Sequence, residues 1–312
     1  MKKILVTGGA GFIGSNLIGR LLPLGYEVIC LDNLSSGSLK NIEEFMGHGH
    51  FQFVEGDVTV PFRNDVDFIY NLACPASPVS YQSDPIQTMK TSILGTMNIL
   101  DLACACGAKV LQASTSEVYG DPDVHPQGEK YWGNVNPMGV RSCYDEGKRA
   151  AESLCFDYYR QRGVDVRVVR IFNTYGQKMA VNDGRAVSNF VVQALRGDDI
   201  IIYGDGKQTR SFCYIEDMLD GFLTVINYEG KFLGPVNLGN QEEVSIFELA
   251  CLVKKLTGSE SPIVHVKALG DDPLRRKPLL DLVKDTFSWE AKVSLREGLE
   301  DIIRYFRKQV MV

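Results

Sequence analysis

The apolar run Ile4–Thr7 breaks directly into Gly8-Gly9-Ala10-Gly11-Phe12-Ile13-Gly14, and a helical pattern follows. No other segment constrains the fold as strongly. Glycines at 8, 11 and 14 let the backbone turn tightly and approach a pyrophosphate, and they bring the helix close against the strand. The unpaired N–H groups at the helix start suit phosphate oxygens. A glycine pattern alone is weak, but here it has the preceding strand and following helix that a dinucleotide loop requires.

The chain continues in the same style. Val28–Asp32, Phe51–Glu55, Phe68–Asn71, Val110–Ser114 and Val166–Ile171 are short runs rich in apolar residues, bounded by turn residues or amphipathic stretches. Helices are predicted over Gly11–Leu22, Ile86–Cys106 and Tyr144–Arg162, the last two stopping at Gly107 and Gly163. Short strands alternating with helices predict an α/β fold, a Rossmann-type doubly wound parallel sheet. Past about residue 175, Gly, Asp and Asn loops become frequent, with helices near Asn189–Arg196, Ser245–Leu256 and Leu295–Phe306. Residues 1–175 are therefore expected to form the dinucleotide-binding domain. Residues 176–312 mainly form a smaller C-terminal substrate-binding lobe, some of it returning to the sheet. A cleft is expected at the strands' C-terminal ends.

Composition narrows the class. In 312 residues, 45% hydrophobic content suffices for a full core. The formal net charge of −6 without a basic tract argues against nucleic-acid or anionic-membrane partners. The N-terminal apolar run is too short for a signal peptide, and no stretch is long enough to span a bilayer. Eight scattered cysteines, with no C-x-x-C pair and no histidine nearby, predict reduced thiols in a cytoplasmic protein and no metal site.

Asp32 ends the second strand. A carboxylate there accepts hydrogen bonds from ribose hydroxyls and repels a 2′-phosphate, which favours NAD over NADP. Asp57, after the third strand, is a candidate for the adenine amino group. Tyr144 and Lys148 lie four residues apart on one helix face. An ammonium beside a phenol stabilises phenolate and lowers its pKa from about 10, giving a base for a sugar hydroxyl. Tyr203 and Lys207 show the same spacing, but a Gly/Asp turn there does not hold helical geometry. After the fifth strand come Thr115, Ser116 and Glu117, two hydroxyls and a carboxylate at a strand end.

Together these features resemble the extended short-chain dehydrogenase/reductases that act on nucleotide sugars. Within them, Asn71–Pro78, Ser114–Asp121, Tyr131–Pro137, Arg170–Gly176, Asp183–Arg185 with Val187–Asn189, Gly206–Ser211 and Asp271–Pro278 resemble the UDP-glucuronate decarboxylases. The likeness spans about Ile4 to Lys308. Glu117 discriminates, since related 4-epimerases usually carry small residues there and 4,6-dehydratases an Asp-Glu pair.

The resemblance implies NAD-dependent conversion of UDP-glucuronate to UDP-xylose. C4 is oxidised, the β-keto acid loses carbon dioxide, C5 is protonated, and C4 is reduced again with NAD recycled. Tyr144 and Lys148 would serve C4, with Thr115 and Ser116 bonding O4 or its neighbours. Glu117 and Arg276 would serve the decarboxylation end. Arg276 could hold the carboxylate, stabilise the enolate or position a proton source. Asn173, the Ser188-Asn189 helix start and Arg210 would hold UDP, and Tyr81 and Lys90 are further substrate contacts. Phe12, Ile13, Asn33, Ser35, Ser36 and Gly37 would contact the cofactor, as would Val58, Leu72, Thr174 and Arg185. A homodimer through a four-helix bundle is also implied. The chain departs from the family's pattern at Ser80, Ser92, Gln177-Lys178, Leu279-Leu280 and Ser288. Two rivals are an oxidative decarboxylase that releases the 4-keto pentose with NADH, and a non-catalytic NAD-binding scaffold.

Overall fold

The computed structural model describes residues 1–268 and 270–310. Strand β1 (Lys3–Thr7) leads into α1 (Phe12–Leu21), and β2 (Glu27–Asp32), β3 (Phe51–Glu55) and β4 (Phe68–Asn71) follow. After α2 (Pro78–Ser83) come α3 (Pro85–Lys90) and α4 (Thr96–Cys106), joined by a π-helical turn over Thr91–Gly95. The single helix expected over Ile86–Cys106 is thus continuous in direction but widened in the middle. At the widened turn, a Cβ on Gly95 would lie 2.7 Å from Val58 Cγ2, so only glycine allows this approach. Strand β5 (Lys109–Thr115), α5 (Ser142–Arg162) and β6 (Val166–Ile171) complete the first half.

The remainder runs β7 (Thr174–Tyr175), α6 (Ala186–Arg196), β8 (Ile200–Tyr203), β9 (Thr209–Ser211), β10 (Cys213–Tyr214) and α7 (Ile215–Asn227). It then continues through β11 (Val236–Leu238), β12 (Glu243–Ser245), α8 (Ile246–Thr257), β13 (Ile263–Val266), β14 (Arg275–Arg276), α9 (Asp281–Phe287) and α10 (Leu295–Val310).

Seven strands form one parallel sheet in the order β3-β2-β1-β4-β5-β6-β11. The order reverses between β1 and β4, the place where doubly wound sheets open a ligand crevice. Alternate residues of β1 feed two cores, as the two-residue strand period requires. Ile4 and Val6 pack with Leu17, Ile18 and Phe222 on one face, while Leu5 packs with Ile29, Ile99 and Cys155 on the other. The first core extends into the lobe through Phe190, Leu249 and Phe306.

Beneath the C-terminal ends of β5 and β6 lies a buried polar knot. Arg170 forks onto Glu152 of α5 at 2.9 and 2.7 Å, Ser114 Oγ donates to the same carboxylate, and Arg170 also donates to Tyr119 at 3.0 Å. Asn237 of β11 accepts from Tyr119 at 2.8 Å and donates to the Gln127 and Leu279 carbonyls. These bonds fix α5 and β11 against the sheet.

Candidate active site

A cleft of ≈1100 Å³ opens above the β1/β4 reversal, with walls from both the sheet and the later segments. At its floor, a Cβ on Gly14 would lie 2.2 Å from the Gly8 carbonyl oxygen, and one on Gly8 (φ +67°) 2.9 Å from Ala73 Cα. Only glycine permits this approach. Phe12, Ile13 and Gly11 complete the floor.

Asp32 is buried at the cleft wall. Its two oxygens accept the Ala10 and Leu34 N–H groups at 2.9 and 2.8 Å. Burial raises its carboxyl pKa. Each oxygen keeps lone pairs for a ribose hydroxyl. Asn33, Ser35, Ser36, Val58 and Leu72 line the same end. Asp57 and Gly37 stand one layer back. Asn33 and Gln87 donate to Asp57 at 2.8 and 3.3 Å, and a Cβ on Gly37 would lie 3.0 Å from Asp32 Oδ1. Burial of Asp57 raises its pKa, but hydrogen bonds from Thr59, Asn33 and Gln87 outweigh it, holding the carboxyl below its usual range. Thr174 and Arg185 also line the cleft. The Arg185 guanidinium covers the Phe12 ring at 5.5 Å and pairs with Asp183. A cradle with no room for side chains, a ribose-facing carboxylate and an apolar slot together fit a dinucleotide.

At the other end Tyr144 is buried and stacks on Tyr81, with ring centroids 5.0 Å apart. Lys148 Nζ lies 5.8 Å from the Tyr144 ring centroid and donates to the Ala113 carbonyl at 2.9 Å. Burial pushes the Tyr144 phenol up, and a Thr115 hydrogen bond pulls it partly back. The lowered phenol expected from the Tyr144/Lys148 spacing is thus not found in the protein alone, because desolvation dominates.

Glu117, at the end of β5, receives hydrogen bonds from two guanidiniums, Arg141 and Arg276. Burial raises its pKa, but Arg276, Arg141 and Arg210 outweigh it and bring the carboxyl down to about 2. Thr115 Oγ1 accepts the Glu117 N–H at 3.2 Å and so fixes the turn, while Ser116 lines the cleft.

Other expected residues divide. Asn173, Asn189 and Arg210 line the cleft, and Arg210 pairs with Asp272 at 3.1 Å. Arg276 does not open into the cleft. It is 1% exposed, donates to the Ser116 and Gly120 carbonyls, and reaches Glu117 from behind at 3.4 Å. Ser188 does not face the cleft either. Its helix begins at Ala186, and its buried hydroxyl donates to the Arg185 carbonyl at 3.0 Å. Lys90 is exposed at the end of α3, away from the cleft lining. Sequence reasoning missed three residues: Arg141 and Asp272, both in the cleft wall, and buried Asp145, whose Oδ1 has no hydrogen-bond partner. Arg141 precedes Tyr144 by about one helical turn, after the loop Pro137-Met138-Gly139-Val140, which carries no motif.

Among the described residues, no cluster of His, Cys, Asp or Glu could hold a metal, and no helix is long and apolar enough to cross a membrane.

Fold and site define the class as a dinucleotide-binding enzyme with a Tyr-x-x-x-Lys centre on a Rossmann sheet. More narrowly, the chain belongs to the NAD dependent epimerase/dehydratase family, which matches residues 4–239. It is 51% identical over 309 residues to UDP-glucuronic acid decarboxylase 1 of Xenopus tropicalis, covering 99% of this chain and 73% of that one. It is 52% identical to UDP-glucuronic acid decarboxylase 6 of Arabidopsis thaliana, covering 99% and 90%. Among solved structures it resembles a UDP-glucuronic acid 4-epimerase of Bacillus cereus in complex with UDP-glucuronic acid and NAD, at TM-score 0.90, 27% identity and coverage of 98% and 99%.

Proposed function

We propose that this chain is an NAD-dependent UDP-glucuronate decarboxylase that yields UDP-xylose. The observation that carries the reading is Glu117, a carboxylate hydrogen-bonded by the Arg141 and Arg276 guanidiniums in the wall of the Tyr144/Lys148 cleft. The relatives at about half identity over nearly the whole chain support it. Held by the glycine loop and Asp32, NAD would supply a hydride acceptor for C4 oxidation and a hydride donor for its re-reduction.

Losing carbon dioxide from C5 leaves a carbanion, so a ketone at C4 is needed as electron sink. Lys148 steadies the Tyr144 phenolate, which takes the O4 proton as the C4 hydride departs and so becomes the phenol. Thr115 and Ser116 orient O4. The β-keto carboxylate then loses carbon dioxide, leaving an enolate that the neighbouring guanidiniums stabilise. Glu117 orders a water that delivers the C5 proton, since an arginine rarely gives up its own. Tyr144 finally returns its proton to O4.

Asp32, Asn33, Ser35, Ser36 and the glycine loop hold the adenosine and pyrophosphate of NAD, with Asp57 acting through Asn33. Asn173, Asn189 and Arg210 hold UDP. Residues 1–175 form the NAD-binding domain and carry Tyr144 and Lys148, and 176–312 form mainly the UDP-sugar-binding lobe, which adds Asn189 and Arg210. The protein pairs as a homodimer through α4 and α5, where Met97 and Tyr159 stand exposed, with Leu94 exposed on the turn before α4. The eight unpaired thiols suit a reducing cytoplasm.

The test is incubation with UDP-glucuronate and catalytic NAD, followed by mass and proton NMR with absorbance at the NADH band. UDP-xylose without NADH build-up is expected. A 4-keto pentose with matching NADH transfers the function to the oxidative rival. Unchanged UDP-glucuronate with folded, NAD-bound protein refutes the reading.

A further inference from the structure

Two guanidiniums hold Glu117, and they differ in freedom. Arg276 is enclosed and anchored by the Ser116 and Gly120 carbonyls. Arg141 forms part of the cleft wall, bonding Glu117 through Nη2 and approaching Asp272 through Nη1 at 3.5 Å. Its partners are carboxylates on two different loops, and neither anchors it to backbone. Arg141 can therefore exchange a partner, and Arg276 cannot without breaking its wall.

Position agrees with this difference. The Arg141 carbonyl accepts the N–H groups of Tyr144 and Asp145 at 3.0 and 3.1 Å, which places Arg141 one turn from the phenol that serves O4. In a hexuronate the carboxylate hangs from C5, next to C4. Arg141 bonds Glu117 in the same cleft lining as Tyr144, where that carboxylate would arrive.

Charge agrees as well. Arg141, Arg210 and Arg276 face Glu117 and Asp272, the anions with which they pair. The nearby Asp145 carboxyl is buried without a partner on Oδ1, and burial favours its neutral form. Within this paired cluster three guanidiniums share two carboxylates, an excess that one further carboxylate would balance.

We infer that Arg141, not Arg276, is the side chain that grips the substrate's carboxylate, exchanging part of its bond to Glu117 for the incoming anion. The inference rests on the proposed UDP-glucuronate reaction and adds a specificity residue to it. The grip disappears with the carboxylate, so UDP-xylose leaves a site whose positive charge is again uncompensated.

The test is calorimetric binding of UDP-glucuronate and UDP-xylose to the NAD-loaded protein and its Arg141→Gln variant. Losing a charge-assisted fork is expected to weaken UDP-glucuronate roughly 10- to 100-fold and leave UDP-xylose within about threefold. Equal weakening of both ligands, or none for UDP-glucuronate, overturns the assignment. Arg141→Lys, which keeps the charge without the fork, is expected to weaken UDP-glucuronate roughly 3- to 10-fold. It decides the matter if the glutamine variant does not fold, and unchanged UDP-glucuronate affinity in it overturns the assignment. A wild-type protein that neither binds nor converts UDP-glucuronate fails at the proposed function itself, an outcome separate from an unresponsive variant.

Discussion

Replacing Asp145 by asparagine should stabilise the protein, and increasingly so as pH rises. Asp145 is 6% exposed, and burial pushes its carboxyl from 3.8 to about 7, with Glu117 adding to the rise and Arg141 and Arg276 opposing it. A raised acid pKa means that the folded state holds the proton more tightly than the unfolded chain. Between about pH 4 and pH 7 the native state therefore binds more protons, and stability falls as pH rises, levelling off above 7. At ~1.4 kcal/mol per tenfold change in proton activity, the full penalty at pH 8 has a ceiling of about 4 kcal/mol. Between pH 5 and pH 8 it grows by roughly 2–3 kcal/mol, and relaxation of the neighbouring guanidiniums toward the ionised form would leave about 1–3. A carboxamide cannot ionise, so Asp145→Asn removes this fall. Urea unfolding of the NAD-bound wild type and variant from pH 5 to 8.5 measures it, provided that unfolding is two-state. A stability gain that widens with pH is expected. A gain independent of pH, or a loss that deepens above pH 6, would show that Asp145 is ionised and held by Arg141 and Arg276, and would falsify the argument.

Three other perturbations address separate links. Tyr144→Phe should lower kcat on UDP-glucuronate by roughly 10²–10⁴-fold with substrate affinity little changed, and single-turnover kinetics separate the two. Gly14→Ala places a Cβ 2.2 Å from the Gly8 oxygen, so it should weaken NAD binding by at least about tenfold and cost about 1–3 kcal/mol, read by cofactor titration and thermal melts. Glu152→Ala leaves the buried Arg170 charge without its carboxylate and should cost about 3–5 kcal/mol in urea unfolding, and a loss under 1 kcal/mol would mean that water reaches the knot.

The sheet was largely legible because its strands are apolar runs cut by turns, and Ile4–Thr7, Phe51–Glu55, Phe68–Asn71 and Val166–Ile171 fall within or on observed strands. Helix α7 was overlooked although Ile215, Met218, Leu219, Phe222, Val225 and Ile226 repeat with helical period, because Gly221 and the flanking loops obscured it. Strand β11 is three residues long between glycine-containing turns and has no periodicity to read. At the site, the glycine loop, Asp32 and the Tyr144/Lys148 spacing are local patterns and could be seen. The union of Glu117 with Arg141 and Arg276 joins a strand end, a loop before α5 and a strand 159 residues away. No local pattern encodes it. Arg276 carried a motif and turned out to stand behind the cleft, whereas Arg141 carried none and stands in it.

The late return of β11 to the sheet also sets a schedule for the nascent chain. Strand β6 is complete at Ile171, yet its outer neighbour begins only at Val236. At ~5–20 residues per second, ribosomal synthesis leaves that edge open for roughly 3–13 s, with unpaired backbone groups and a strand rich in valine. For this interval the growing polypeptide is a candidate for chaperone capture, and a stalled ribosome within residues 172–235 would release a fragment inclined to pair with others of its kind.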